Sequence, residues 1–160
     1  MAQEAVPLSV NSDDNLRITA TSLAEDGLSA AILATGDDLT YSLKTFTLTE
    51  TQATVEDKRL SLSQDLSRPG RKTVKCEVQY VHGDAGDVAA ATLVEGYEGH
   101  LTLRYSIPNS TAWTAAQVAD YLTFKAGAQR KDPPVENGVQ TITQELFITA
   151  VMKKDQAITA

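Results

Sequence analysis

Arg71-Lys72-Thr73-Val74-Lys75-Cys76-Glu77-Val78 alternates polar and apolar residues with period two. That is the pattern of a strand with one buried face. Val74, Cys76 and Val78 point one way; Arg71, Thr73, Lys75 and Glu77 point the other. The same alternation recurs on both sides of this stretch. Arg59-Leu60-Ser61-Leu62-Ser63 precedes it, and His100-Leu101-Thr102-Leu103-Arg104-Tyr105 follows. Together the three segments predict an antiparallel sheet with Leu60, Leu62, Leu101, Leu103 and Tyr105 on its apolar face. The opposite face carries Arg59, Ser61, Ser63, Arg71, Thr73, Lys75, His100, Thr102 and Arg104. Cations mixed with hydroxyl donors suit phosphate and sugar contacts. This face reads as a binding surface, with no catalytic pocket implied.

Outward from these strands, turn signals divide the rest of the chain. Ser67-Arg68-Pro69-Gly70 predicts the turn of a hairpin between 59–66 and 72–82. Leu16–Leu23 and Leu28–Thr35 flank Glu25-Asp26-Gly27 and predict an N-terminal hairpin. Thr40–Ala53 reads as a further strand, and 1–15 as a polar arm. Residues 83–99 form a long connection between strands. The sheet and hairpin region spans 16–107 and ends before Pro108.

The character then changes. Asn109 or Ser110 can cap a helix over 110–127, with Trp113, Ala116, Tyr121 and Phe124 at helical spacing. The segment 139–154 fits a second helix through Ile142, Leu146 and Met152, with Lys153 and Lys154 near its C-terminus. Its Thr, Ile, Val and Phe residues are also good strand formers. Strands first and helices last predict an α+β fold in a single domain of 160 residues. One helix cannot cover so wide a sheet, so a homodimer is expected to hide the remaining apolar face.

Composition narrows the function classes. The formal charge of −7 argues against a generally sticky nucleic-acid binder and confines anion contact to a local patch. Cys76 is the single cysteine, which leaves no intrachain disulfide. It falls on the apolar face, as a small core residue. With only His82 and His100 as histidines, no zinc-type ligand set is expected. Asp84, Asp87, Glu95 and Glu98 match no calcium-loop spacing. Walker, dinucleotide and nucleophile-elbow motifs are absent, so neither an enzyme nor a cofactor is expected. The N-terminus lacks the basic and apolar regions of a signal peptide, and no run approaches membrane-spanning length. No membrane association is expected, and synthesis in a host cytoplasm is.

Thr73-Val74-Lys75-Cys76-Glu77-Val78, after a Ser-rich strand and a basic turn, resembles the central hairpin of coat proteins of single-stranded RNA bacteriophages. Leu101-Thr102-Leu103 before Ile107-Pro108-Asn109-Ser110 resembles that family's last strand running into its first helix. The resemblance is best over about 59–127. It implies an interlocked homodimer, with two C-terminal helices packed over the partner's sheet, and an icosahedral virion shell around single-stranded genomic RNA. It also implies an inner, RNA-facing surface and, often, a bound RNA hairpin operator. Ser61, Ser63, Thr73 and Lys75 fall where the family has RNA-facing residues. Arg59, Arg71, Thr102 and Arg104 join them by strand parity. Trp113, Tyr121 and Phe124 would serve the dimer interface. Two other readings stand beside this one: a virion component with no RNA role, and an intracellular β-rich ligand-binding module.

Overall fold

A computed structural model describes residue 11 and residues 13–160. The arm expected at 1–15 therefore falls largely outside the described residues. The elements run β1 (Leu16–Ser22), α1 (Ala30–Thr35), β2 (Asp37–Asp38), β3 (Leu43–Asp57), β4 (Leu66–Val81), α2 (Val88–Thr92), β5 (Glu98–Tyr105), β6 (Val118–Ala126), β7 (Arg130–Lys131), β8 (Thr141–Ile148) and β9 (Lys153–Ala157). The strands form one sheet in the order β2-β1-β5-β6-β8-β4-β3, with β7 beside β8 and β9 beside β6. Every pairing between these strands is antiparallel.

This corrects the expected α+β fold with two C-terminal helices. The only helices among the described residues are the short α1 and α2, and neither is C-terminal. The stretch 110–127 is an irregular segment followed by β6. Its Trp113, Tyr121 and Phe124 have helical spacing by coincidence. Leu122, Phe124 and Ala126 alternate inward on a strand, and a register shift between Ala119 and Tyr121 hides the period. The stretch 139–154 holds β8 and the start of β9, so its β-branched and aromatic content outweighed the weaker three-to-four-residue spacing. Leu28–Thr35, expected as a strand, contains α1; Ala30, Ala31, Leu33 and Ala34 are strong helix formers.

The sheet also needs no second subunit to bury its apolar face. It curls so that Ile18 and Ala20 of β1 share one core with Cys76, Val78 and Tyr80 of β4. Leu101 and Leu103 of β5, Leu122 and Phe124 of β6, and Ile142 and Leu146 of β8 fill the same core. Burial pushes the Cys76 thiol up to about 12, so it stays protonated and unreactive. Two polar side chains of the core, Gln144 and Tyr80, are paired. Gln144 donates to the carbonyls of Leu93 (2.9 Å) and Gly127 (2.8 Å), and Tyr80 donates to Gln144 Oε1 (3.0 Å).

The opposite face of β1 and β5 is covered as well. Leu33, Trp113, Ala119 and Ile158 form a second cluster there. Two backbone hydrogen bonds, Thr159 to Leu28 (2.9 Å) and Ala30 to Thr159 (2.9 Å), tie the C-terminal segment over it. Strand β5 is thus buried on both faces from Leu101 to Arg104. Close packing against β1 requires Gly99, because an added Cβ would run into the carbonyl oxygen of Thr21. Gly99→Ala is expected to cost about 1–3 kcal/mol by overpacking, read as a lower denaturant midpoint with an unchanged m-value.

Asp132 fastens β7 to the sheet. Its carboxylate accepts from Gln79 Nε2 (3.1 Å), Thr141 Oγ1 (2.8 Å) and Thr143 Oγ1 (2.8 Å). These donors hold its pKa below the ordinary carboxylate value. The stabilisation is therefore complete above the unfolded-state pKa and disappears as pH falls through the lowered one. Acid unfolding should begin below the ordinary carboxylate range. Asp132→Ala should be less stable at neutral pH and lose less on acidification, which thermal melts across pH 7 to 2 would show.

Candidate assembly surface

Strands β3 and β4 form one long hairpin, paired from Leu43↔Tyr80 to Asp57↔Leu66. Only its base belongs to the body, because β4 meets β8 over Cys76–Val81 alone. Beyond Cys76 the ribbon has no other strand partner among the described residues. It projects as an arm whose two backbone edges are open. Thr, Val and charged residues suit an extended, solvated ribbon. A register shift between Gln52 and Thr54 breaks the ladder halfway. Pro69 lies directly opposite Thr54 and Gly70 opposite the irregularity. Thus the expected Pro-Gly turn is instead a bend within β4. Pro is tolerated there because one edge of the strand is unpaired. The real turn is 58–65.

The tip of the arm is apolar and exposed. Leu60 is fully exposed at 110%, with Leu62, Leu66 and Val55 also open to solvent. Around them, Asp57 accepts from Arg59 (3.0 Å) and Arg68 (3.1 Å), and Lys58 pairs with Glu56 (3.1 Å). Such a tip is costly in a monomer and suited to burial against a partner.

At the arm's base lies a groove of about 780 Å³ lined by Val74, Ile148, Val151, Met152, Lys72 and Lys154, among others. Glu50 bridges it, pairing with Lys72 (3.2 Å) and with Lys154. The hydrogen bonds from Lys154 and then Lys72 lower the Glu50 pKa, and Glu50 raises that of Lys154. The Glu50–Lys154 pair ties the arm to β9.

The residues expected to form one cationic face are scattered. Arg59, Ser61 and Ser63 lie in the turn at the tip, with Arg59 held by Asp57. Arg71, Thr73 and Lys75 are exposed along β4, next to Glu77. Thr102 and Arg104 do point away from Leu101 and Leu103, as parity requires, yet both are buried. Thr102 Oγ1 donates to the Gly27 carbonyl (2.7 Å). Arg104 donates to the carbonyls of Pro108 (3.1 Å), Thr111 (2.9 Å) and Ala112 (3.3 Å), and to Gln117 Oε1 (3.1 Å). Its guanidinium lies 4.7 Å from the Trp113 ring centroid. Burial, with the neighbouring Arg17 charge, lowers its pKa from the ordinary arginine value. Arg104 is a clamp on the segment 108–117 and offers no surface to an anion.

The three aromatic residues expected at a dimer interface are used within the subunit. Phe124 is in the main core beside Tyr97 (6.0 Å between centroids), and Trp113 is in the second cluster. Half-buried Tyr121 stacks on His100 at 4.9 Å. The tip leucines were the residues sequence reasoning misplaced. Leu60 and Leu62 alternate like a buried face, but their five-residue run stands between Glu56-Asp57-Lys58-Arg59 and Asp65. That charged framing was the available sign of a solvated turn.

Residues 4–160 match a family model described as phage tail tube protein. No curated protein matches the chain.

Proposed function

Because this chain belongs to the phage tail tube protein family, and so is a structural component of a bacteriophage virion, we propose that it is the repeating wall subunit of a tail tube and assembles with copies of itself. Membership of this family replaces the expected single-stranded RNA phage coat protein. The expectation of a phage structural protein stands; the packaging of RNA in an icosahedral shell has no support. The alternative of a virion component without an RNA role is the better reading.

The observation that carries the proposal is the β3–β4 arm. It offers two open strand edges and an exposed apolar tip on a body whose own core is already closed. Open edges and apolar projections favour pairing with further chains. A subunit that contacts copies through an arm on one side and a body on the other makes head-to-tail contacts, which build rings or filaments. The role needs surfaces and rigidity, and no catalysis.

The test compares wild type with Leu60→Ser/Leu62→Ser/Leu66→Ser by sedimentation velocity and circular dichroism. Wild type should form large polymers. The variant should remain small with an unchanged β-sheet spectrum. Polymers of equal size and yield in the variant would overturn the assigned surface.

A further inference from the structure

The tip of the arm and the groove at its base complement each other. The tip is a projection with Leu60, Leu62 and Leu66 open to solvent. The groove is a concavity with Val74, Ile148, Val151 and Met152 along it. Ile148 and Met152 also pack against the main core, so the body fixes the groove's floor. Val151 stands beside it at 89% exposure. Both surfaces are apolar and unfavourable in water.

Their charges match as well. Lys72 and Lys154 share the single carboxylate of Glu50, which leaves one cation in excess at the groove. At the tip, Asp57 pairs with Arg59 and Arg68, and Glu56 pairs with Lys58. Asp65, in the same turn, has no ion-pair partner among the described residues.

We infer that the groove receives the arm tip of a second copy of the chain. Leu60 and Leu62 then lie against Ile148, Val151 and Met152, and the Asp65 carboxylate lies beside Lys72 and Lys154. Apolar burial drives the contact, and the charge pairing fixes its orientation. A chain cannot fill its own groove. Val74 lines the groove at the root of the arm, and Leu66 lies at the far end of the same strand. At about 3.3 Å a residue they are roughly 26 Å apart, and pairing with β3 keeps the ribbon extended between them. Tip and groove are different surfaces, so every copy donates one and accepts one. That is a head-to-tail contact, which repeats from copy to copy. The docking rests on the self-assembly proposed above and adds to it the acceptor for the arm.

The test uses full-length Ser61→Cys/Val151→Cys under mild oxidation, with electron microscopy of the same sample. Ser61 is exposed in the tip turn and its replacement leaves the leucines in place, while native Cys76 is buried. Expected are tubes together with a ladder of disulfide-linked species on a non-reducing gel, collapsing on reduction. Ser61→Cys/Val139→Cys should give no ladder, because Val139 is exposed but lies outside the groove. Asp65→Lys covers the case in which the cysteine pair itself impairs assembly. It sets a cation against Lys72 and Lys154 and should raise the critical concentration about tenfold at low salt, with a smaller difference at high salt. Asp65→Glu should assemble like wild type. Tubes with no ladder, equal dimer yields from Ser61→Cys alone, or an unchanged critical concentration for Asp65→Lys would overturn the docking and leave the tube function standing. Wild type and variants that all remain monomeric would overturn both.

Discussion

Arg104→Ala is expected to lower the unfolding free energy by about 1.5–3 kcal/mol, the range for losing hydrogen bonds to a buried charged group. The side chain is fully buried and satisfies four oxygen acceptors. Its removal takes one donor from each of these acceptors, which then rely on Thr111 N, Arg17 Nη1, Gln117 Nε2 and Thr114 N alone. The Trp113 ring also loses its cationic neighbour. Loosening should be local first: hydrogen exchange over 106–117 should accelerate before global unfolding. Arg104→Lys keeps the charge and loses the planar fork, so it should recover only part of the stability. Equal denaturant midpoints for wild type and Arg104→Ala would show that the clamp contributes nothing.

The second large effect concerns assembly. The triple serine substitution at Leu60, Leu62 and Leu66 removes the apolar tip without touching the core. Burying a leucine side chain contributes about 1.5–3 kcal/mol. If each tip leucine is covered in the assembly, the loss sums to several kcal/mol per contact and raises the critical concentration by at least a hundredfold. Stability of the free subunit should change by less than about 0.5 kcal/mol, because these residues pack against little. This separation, with assembly lost and folding kept, distinguishes an interface role from a folding role. Arg71→Ala, on the exposed stem of the same arm, should shift polymerisation far less.

How legible the fold was depended on the type of signal. Period-two alternation identified the strand cores around Ile18, Cys76 and Leu101, and the parity of Leu101, Thr102, Leu103 and Arg104 was right. Parity alone does not say whether the second face is open. The cover over Thr102 and Arg104 comes from Leu33, Trp113 and Ile158, which lie far away in sequence. No local pattern announces that closure. The C-terminal third was misread because short spacings such as Trp113–Ala116 and Ile142–Leu146 mimic a helix when a register shift interrupts a strand. The hairpin expected between 59–66 and 72–82 is instead β3 paired with β4, and most of its expected first strand is the turn itself. Pro69-Gly70 is strong turn chemistry, and only the open edge of β4 lets it sit within a strand. Resemblance in the central hairpin led to the right kind of object, a phage structural protein, and to the wrong assembly. A sheet followed by partner-covering helices and a sheet curled around its own core share the same alternating strands. What differs is where the apolar surface is left over: across a sheet face in the first case, at the tip of an arm here.

The most direct test of the central claim is electron microscopy of the purified wild-type protein at high concentration, with absorbance of the assembled fraction at 260 and 280 nm. The account predicts hollow tubes of uniform diameter and variable length with a protein-only spectrum. Closed shells with a nucleic-acid spectrum, or a particle that stays monomeric at every salt and concentration, would contradict it.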